Sequence, residues 1–202
     1  RMFFYHLSGG MDPRFLDTDR RVNRIMMRGY QQKKPCAPAM RHRCVEWSCP
    51  ANFYPDFSVW AENCWGINVV ASMESLISDI IINTEDQDQA LADLARSYQR
   101  TTMRKHANVL DELWIVCKQY NADMVLMYDQ ISCKGMDGLR GVFEEQAAAR
   151  GVHMLWVAQD LLDSRTISKR DMRRQVNLYM QTVMGEEPVR PDLVDFDDAL
   201  TW

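Results

Sequence analysis

The chain has 202 residues, 47% of them apolar, and a formal net charge of -4, enough to bury a full core as one large or two small domains. Its lysines and arginines are scattered, with small clusters at Arg41 to Arg43 and Arg170 to Arg174, which excludes the concentrated basic face of a nucleic-acid binder. No apolar run approaches the ~18 residues that span a bilayer, and no signal-peptide succession opens the chain, so no membrane is expected and the expected location is cytoplasmic.

Residues 1–40 are expected to be a connecting segment. Ser8-Gly9-Gly10 and Asp12-Pro13 mark turns, Phe15 to Met27 carries helical spacing, and Lys33-Lys34-Pro35 ends it. The opening Arg1-Met2-Phe3 suggests a fragment with an upstream half missing. Residues 41–49 (RHRCVEWSC) read as a first strand, closed by Pro50 and the aromatic loop Ala51 to Phe57, and Ile67 to Ser72 as a second, rich in β-branched residues. Thr84-Glu85-Asp86-Gln87 has the pattern of a capping box before a helix with Leu91, Leu94, Ala95 and Tyr98 on one face. A second helical run carries Val109, Leu110, Leu113, Trp114 and Cys117.

The stretch NADMVLMYDQISCK, Asn121 to Lys134, is the most informative. Its unbroken apolar run Met124 to Tyr128 predicts a strand buried on both faces of a parallel sheet, and Cys133 follows just beyond its C-terminal end. In open α/β sheets that edge is where ligands bind. Gly135 and Gly138 then precede a helix with Leu139, Val142, Phe143 and Ala147, stopped at Gly151. Val152 to Ala158 is the fourth strand. Ser168-x-x-Asp171 predicts a cap for a last helix with Met172, Val176, Tyr179 and Val183, and the acidic tail after Gly185 is expected to fray.

Strands separated by helices require right-handed crossovers, so the expected fold is a flavodoxin-like, doubly wound parallel α/β sheet of about four strands over residues 41–185, followed by an acidic tail, 186–202. Neither G-x-G-x-x-G nor G-x-x-x-x-G-K-[ST] occurs, which disfavours a flavin or nucleotide binder of this architecture. Gly135-x-x-Gly138 alone reads as a turn.

The six cysteines are Cys36, Cys44, Cys49, Cys64, Cys117 and Cys133, with no C-x-x-C spacing for a zinc knuckle or redox pair. Cys44, in a strand, and Cys117, in a helix, read as buried apolar residues. Asp160 and Asp163 are expected to cap a loop or pair with Arg165, and His153 to be a satisfied core histidine. His106 reads as helix surface, and Trp47, Phe53, Tyr54 and Trp65 as packing. The catalytic residues are left unknown.

NADMVLMYDQISCKG, an amphipathic helix and GVHMLWVAQDLLDSRTISKRDMRRQVNLYM together resemble the C-terminal half of the 2-hydroxyacyl-CoA dehydratase and benzoyl-CoA reductase family. The matching positions are Ser132-Cys133-Lys134, Asp160, Arg165, Ser168 and Arg174. Gln159 departs, standing where an acid is common. WAENCWGINVV is also similar, so the likeness covers roughly residues 41–185.

The resemblance implies a subunit of a heterodimer that holds a 4Fe-4S cluster through three cysteines, of which only Cys133 maps onto this chain. Lys134 beside it would lower the thiol pKa. The implied reaction is radical elimination of water from an acyl-CoA after an ATP-dependent activator protein injects one electron. The alternatives are a benzoyl-CoA reductase-type subunit reducing an aromatic ring and a non-catalytic flavodoxin-like partner subunit. Cys36, Cys49 and Cys64 receive no support as further ligands from the resemblance.

Overall fold

The computed structural model describes residues 13–32, 39–73, 82–99 and 106–195. The elements in chain order are α1 (Pro13–Gln31), β1 (His42–Trp47), α2 (Phe57–Trp65), β2 (Ile67–Ser72), α3 (Gln87–Gln99), α4 (His106–Tyr120), β3 (Met124–Gln130), the single turn α5 (Lys134–Asp137), α6 (Arg140–Arg150), β4 (His153–Gln159) and α7 (Lys169–Thr182). A short 3-10 turn follows at Pro191–Leu193.

The four strands form one parallel sheet in the order β2-β1-β3-β4. This is the flavodoxin-like layout expected from the alternation of strands and helices. β3 is central and its five apolar residues are all buried, because strand alternation sends Met124, Leu126 and Tyr128 to one face and Val125 and Met127 to the other. The first face packs against α2 and α7 through Phe57, Trp60, Trp65, Met172, Val176 and Met180. The second packs against α4 and α6 through Val109, Leu113, Trp114, Cys117, Phe143 and Ala147. Cys44 and Cys117 are buried among these side chains, as expected of apolar thiols. The register between β1 and β2 slips once, between Cys44 and Val45, so that Val70 is left between the pairs Cys44↔Val69 and Val45↔Ala71.

Local chemistry explains most of the boundaries. Gly66 and Gly151 end α2 and α6 at φ of 74° and 67°, the left-handed region where a side chain is strained, and each returns the chain directly to a strand. Ser168 caps α7 in a reciprocal box with Asp171, as its spacing predicts. The expected box at Thr84 forms differently. Asp86 Oδ1 accepts from the amides of Asp88 and Gln89, at 2.9 and 3.1 Å, so the cap lies two residues later, nearer the first helical turn.

One element has no expectation attached to it, and two other expectations are corrected. The segment after Phe57 is a helix, α2, whose buried positions Phe57, Trp60, Ala61, Cys64 and Trp65 recur at helical spacing. The acidic segment after Gly185 does not fray through Asp195. It lies across α2 and α7: Val189 N donates to Cys64 O (2.7 Å), Trp60 Nε1 to Leu193 O (2.8 Å) and Asn177 Nδ2 to Val194 O (3.0 Å). Its start is fixed at the N-terminal edge of the sheet, where the His42 ring meets Asp123 Oδ2 at 2.9 Å and Glu186 Oε1 at 2.8 Å. His153 is exposed rather than in the core, because it opens β4 at the rim, ahead of the positions the helices cover. Lys33-Lys34-Pro35 and Cys36 lie outside the described residues, and among the described residues no helix is long and apolar enough to cross a membrane.

Candidate functional site

In the order β2-β1-β3-β4 the chain winds one way from β1 and the other way from β3, so the C-terminal edge between these two strands is a topological switch point, the place where ligands bind in open α/β sheets. The loop after β1 starts at Ser48, a non-glycine residue at φ 71°, and carries the partly exposed Cys49. The loop after β3 carries the partly exposed Cys133. Cys133 N donates to Gln130 O (2.8 Å), and Cys133 O accepts from Met136 N and Asp137 N at 3.2 Å, which folds the chain into α5. Lys134 follows on the exposed side of that turn.

Gln159, the last residue of β4, joins the two loops. Its side-chain Nε2 donates to Cys49 O at 2.9 Å, and its main-chain oxygen accepts from Ile131 N at 3.1 Å. Asn52 N donates to Leu161 O at 2.9 Å and ties the first loop to the loop after β4 as well.

Beneath this edge, Glu46 accepts hydrogen bonds from Tyr128 Oη (2.7 Å) and from Ser58 Oγ. Burial, then the charge of Glu46, pushes the Tyr128 hydroxyl well above its ordinary pKa, so it stays a neutral donor to the carboxylate. On the other face, burial and then the charge of Asp137 raise Asp129, while Arg140, 3.8 Å away, acts in the opposite direction. Arg140 also lies 4.9 Å over the ring of Trp156. Neither group was singled out from the sequence. The available signal was a charged residue, Glu46 or Asp129, placed inside or at the end of an otherwise buried strand.

The residues singled out after β4 have local structural tasks. Asp160 Oδ1 accepts from Leu162 N and Asp163 N, both at 2.8 Å, closing a turn. Asp163 pairs with Arg165 at 2.6 Å, and the hydrogen bonds from Arg165 lower its pKa to about 2. Trp47 and Trp65 are fully buried and Tyr54 nearly so, its ring tilted against that of Phe57 with centroids 5.3 Å apart, which is the expected packing role. The side chain of His106 lies outside the description.

Among the described residues no three His, Cys, Asp or Glu side chains gather as a metal site. Cys64 is buried beneath the C-terminal segment, and burial pushes its thiol up to about 12, so it is unsuited to ligation. A groove of about 780 Å³, lined in part by Asp111, Trp114, Ile115, Lys118 and Arg150, opens beside Asn121 and Val152. It sits at the N-terminal edge of β3 and β4, opposite Cys133, and its size is therefore no guide to the chemistry.

No curated protein matches the chain. The model of the family described as 2-hydroxyglutaryl-CoA dehydratase, D-component, matches residues 13–182. That span takes in all four strands, the loop that carries Cys133 and every helix from α1 to α7. The chain belongs to the 2-hydroxyglutaryl-CoA dehydratase D-component family.

Proposed function

We propose that the chain is the C-terminal half of a subunit of an iron-sulfur 2-hydroxyacyl-CoA dehydratase, and that Cys133 is one thiolate ligand of a 4Fe-4S cluster. The observation that carries this reading is the position of Cys133: a partly exposed cysteine at the switch-point edge of a parallel sheet, within the span the family model matches. Sulfur is the donor such clusters take. No three His, Cys, Asp or Glu side chains gather among the described residues, so the reading asks this chain for the Cys133 ligand and assigns the other two cysteines to the N-terminal half of the subunit.

When bound, the cluster supplies one-electron transfer. The chain itself supplies position and shelter. Gln159 fixes the loops after β1 and β3 relative to one another, and exposed Ile131 and Leu162 give the rim an apolar surface suited to burial against a sister subunit that keeps water from the reacting thioester. An ATP-hydrolysing activator protein delivers the electron, and water leaves the 2-hydroxyacyl-CoA by radical elimination.

Anaerobic purification of the full-length protein with its sister subunit tests the reading. Iron and acid-labile sulfide are expected in the wild type and are expected to fall in Cys133→Ser. With activator, ATP and reductant, the complex should release water from a 2-hydroxyacyl-CoA and leave benzoyl-CoA unreduced. Unchanged iron in Cys133→Ser removes that ligand, and a dienoyl product from benzoyl-CoA moves the protein to the aromatic reductase branch. Turnover without ATP or partner contradicts the electron-delivery scheme.

A further inference from the structure

Gln130 closes β3 and Gln159 closes β4, and the two are paired in register. Each holds a buried carboxamide oxygen with no hydrogen-bond partner among the described residues. Strand alternation sets both on the face of Leu126, Tyr128, Leu155 and Val157, and paired residues on neighbouring strands stand only ~5 Å apart. Gln159 is fully buried, and because its Nε2 is engaged by Cys49 O, its carboxamide cannot turn to satisfy the oxygen another way. The main-chain oxygen of Gln130 receives the amide of Cys133, so the strand end that carries Gln130 is joined directly to the loop that carries the thiol.

A carboxamide oxygen only accepts. Two of them on register-paired residues of one sheet face call for an O-H or N-H donor and offer nothing to an anion or a carbonyl. We propose that Gln130 and Gln159 form an acceptor pair for the 2-hydroxyl of a 2-hydroxyacyl thioester. This rests on the dehydratase reading and deepens it, since an aromatic acyl thioester has no donor to place there. A thioester lacking the hydroxyl leaves both oxygens unpaired, which is the condition for strong discrimination.

Equilibrium binding to the full-length protein assembled with its sister subunit, without activator or ATP, tests the proposal. Calorimetric titration with 2-hydroxyglutaryl-CoA and with glutaryl-CoA should show the hydroxylated thioester bound roughly ten- to a hundredfold more tightly. Gln159→Leu also removes the contact to Cys49 O and can disturb the loop, so the decisive variant is Gln130→Leu, whose side chain is only partly buried. Gln130→Leu should lose most of the preference, the two affinities converging because the unpaired oxygen that penalises glutaryl-CoA is gone. Equal affinities in the wild type, or a preference untouched in Gln130→Leu, overturn the acceptor pair and leave the dehydratase reading standing. Failure of both thioesters to bind overturns that reading and the proposal with it. A thioester-bound crystal structure in which an ordered water alone satisfies the two oxygens overturns the acceptor pair.

Discussion

Ser168→Ala isolates the most local feature of the fold. Ser168 Oγ accepts from Asp171 N at 3.2 Å, while Asp171 Oδ2 accepts from Ser168 N at 3.1 Å and from Ser168 Oγ at 2.7 Å. Alanine removes the acceptor for one first-turn amide and one donor to the carboxylate, at a cost of about 1 kcal/mol. The loss is transmitted because α7 buries Met172, Val176 and Met180 against the sheet one turn further on. In a chain of this length that corresponds to roughly 2–4 °C in melting temperature. The effect also has a definite pH dependence. Hydrogen bonds from Ser168 are the first cause holding the Asp171 carboxyl below its ordinary range, with Arg174 and Arg170 contributing after them. A carboxyl depressed in the folded state stabilises the fold above its unfolded value and ceases to do so as pH falls through its folded value. The gap between wild type and Ser168→Ala should therefore be full near neutrality and narrow as pH drops through the carboxylate range. Thermal unfolding followed by circular dichroism over that range measures it. Equal melting temperatures at neutral pH, or a gap that widens with acid, would refute the assignment of the cap.

Two further outcomes follow from burial. Iodoacetamide should label Cys133 and Cys49 in the native protein, both being partly exposed, and spare Cys44, Cys64 and Cys117 until the chain is unfolded, because burial raises all three thiols, Cys64 and Cys117 to about 12; peptide mass spectrometry reads the pattern, and native labelling of Cys117 ahead of Cys133 would contradict it. Ending the chain after Gly185 removes the acceptors of Trp60 Nε1 and Asn177 Nδ2 and the Glu186 partner of His42, so denaturant titration should show a loss of about 2–4 kcal/mol, and a truncated chain as stable as the whole would mean the segment is not packed in solution.

What was legible in the sequence was what depends on near neighbours and on period. β3 could be read because burial on both faces of a central strand demands an unbroken apolar run, and α7 because its cap and its apolar face are both local. α2 was not, since Phe57, Trp60, Trp65 and Cys64 are residues of indifferent helix propensity and the element is only nine residues long. Its helical spacing was present and was masked by the aromatics of the preceding loop. The docking of residues 186–195 had no local signal at all. Composition favoured a frayed acidic tail, whereas the ordering contacts come from His42, Trp60 and Cys64, more than a hundred positions away. The same holds for the site: Cys133 was marked by its place after a strand, but the Glu46, Ser58 and Tyr128 cluster and the bridge made by Gln159 exist only once β1, β3 and β4 are side by side.

The two ends of the sheet divide the work of the fold. At the N-terminal end, His42 lies between Asp123 and Glu186, Arg43 N donates to Asp123 Oδ1 at 2.6 Å, and His153 N donates to Asp123 O at 2.8 Å, so charged side chains and strand-starting amides satisfy one another. At the C-terminal end the pattern reverses. Trp47, Gln130 and Gln159 are the last residues of β1, β3 and β4, and each carries a buried polar atom without a partner among the described residues. Glu112 Oε2 in α4 and Trp156 Nε1 within β4 stand in the same condition, so three of these five atoms belong to strand-end residues. The loops at this rim spend amides on closing turns at Cys133 and Asp160. The N-terminal end is thus closed by its own charged side chains, while the C-terminal end sets strand-end polar atoms without partners among the described residues beside the exposed Ile131 and Leu162.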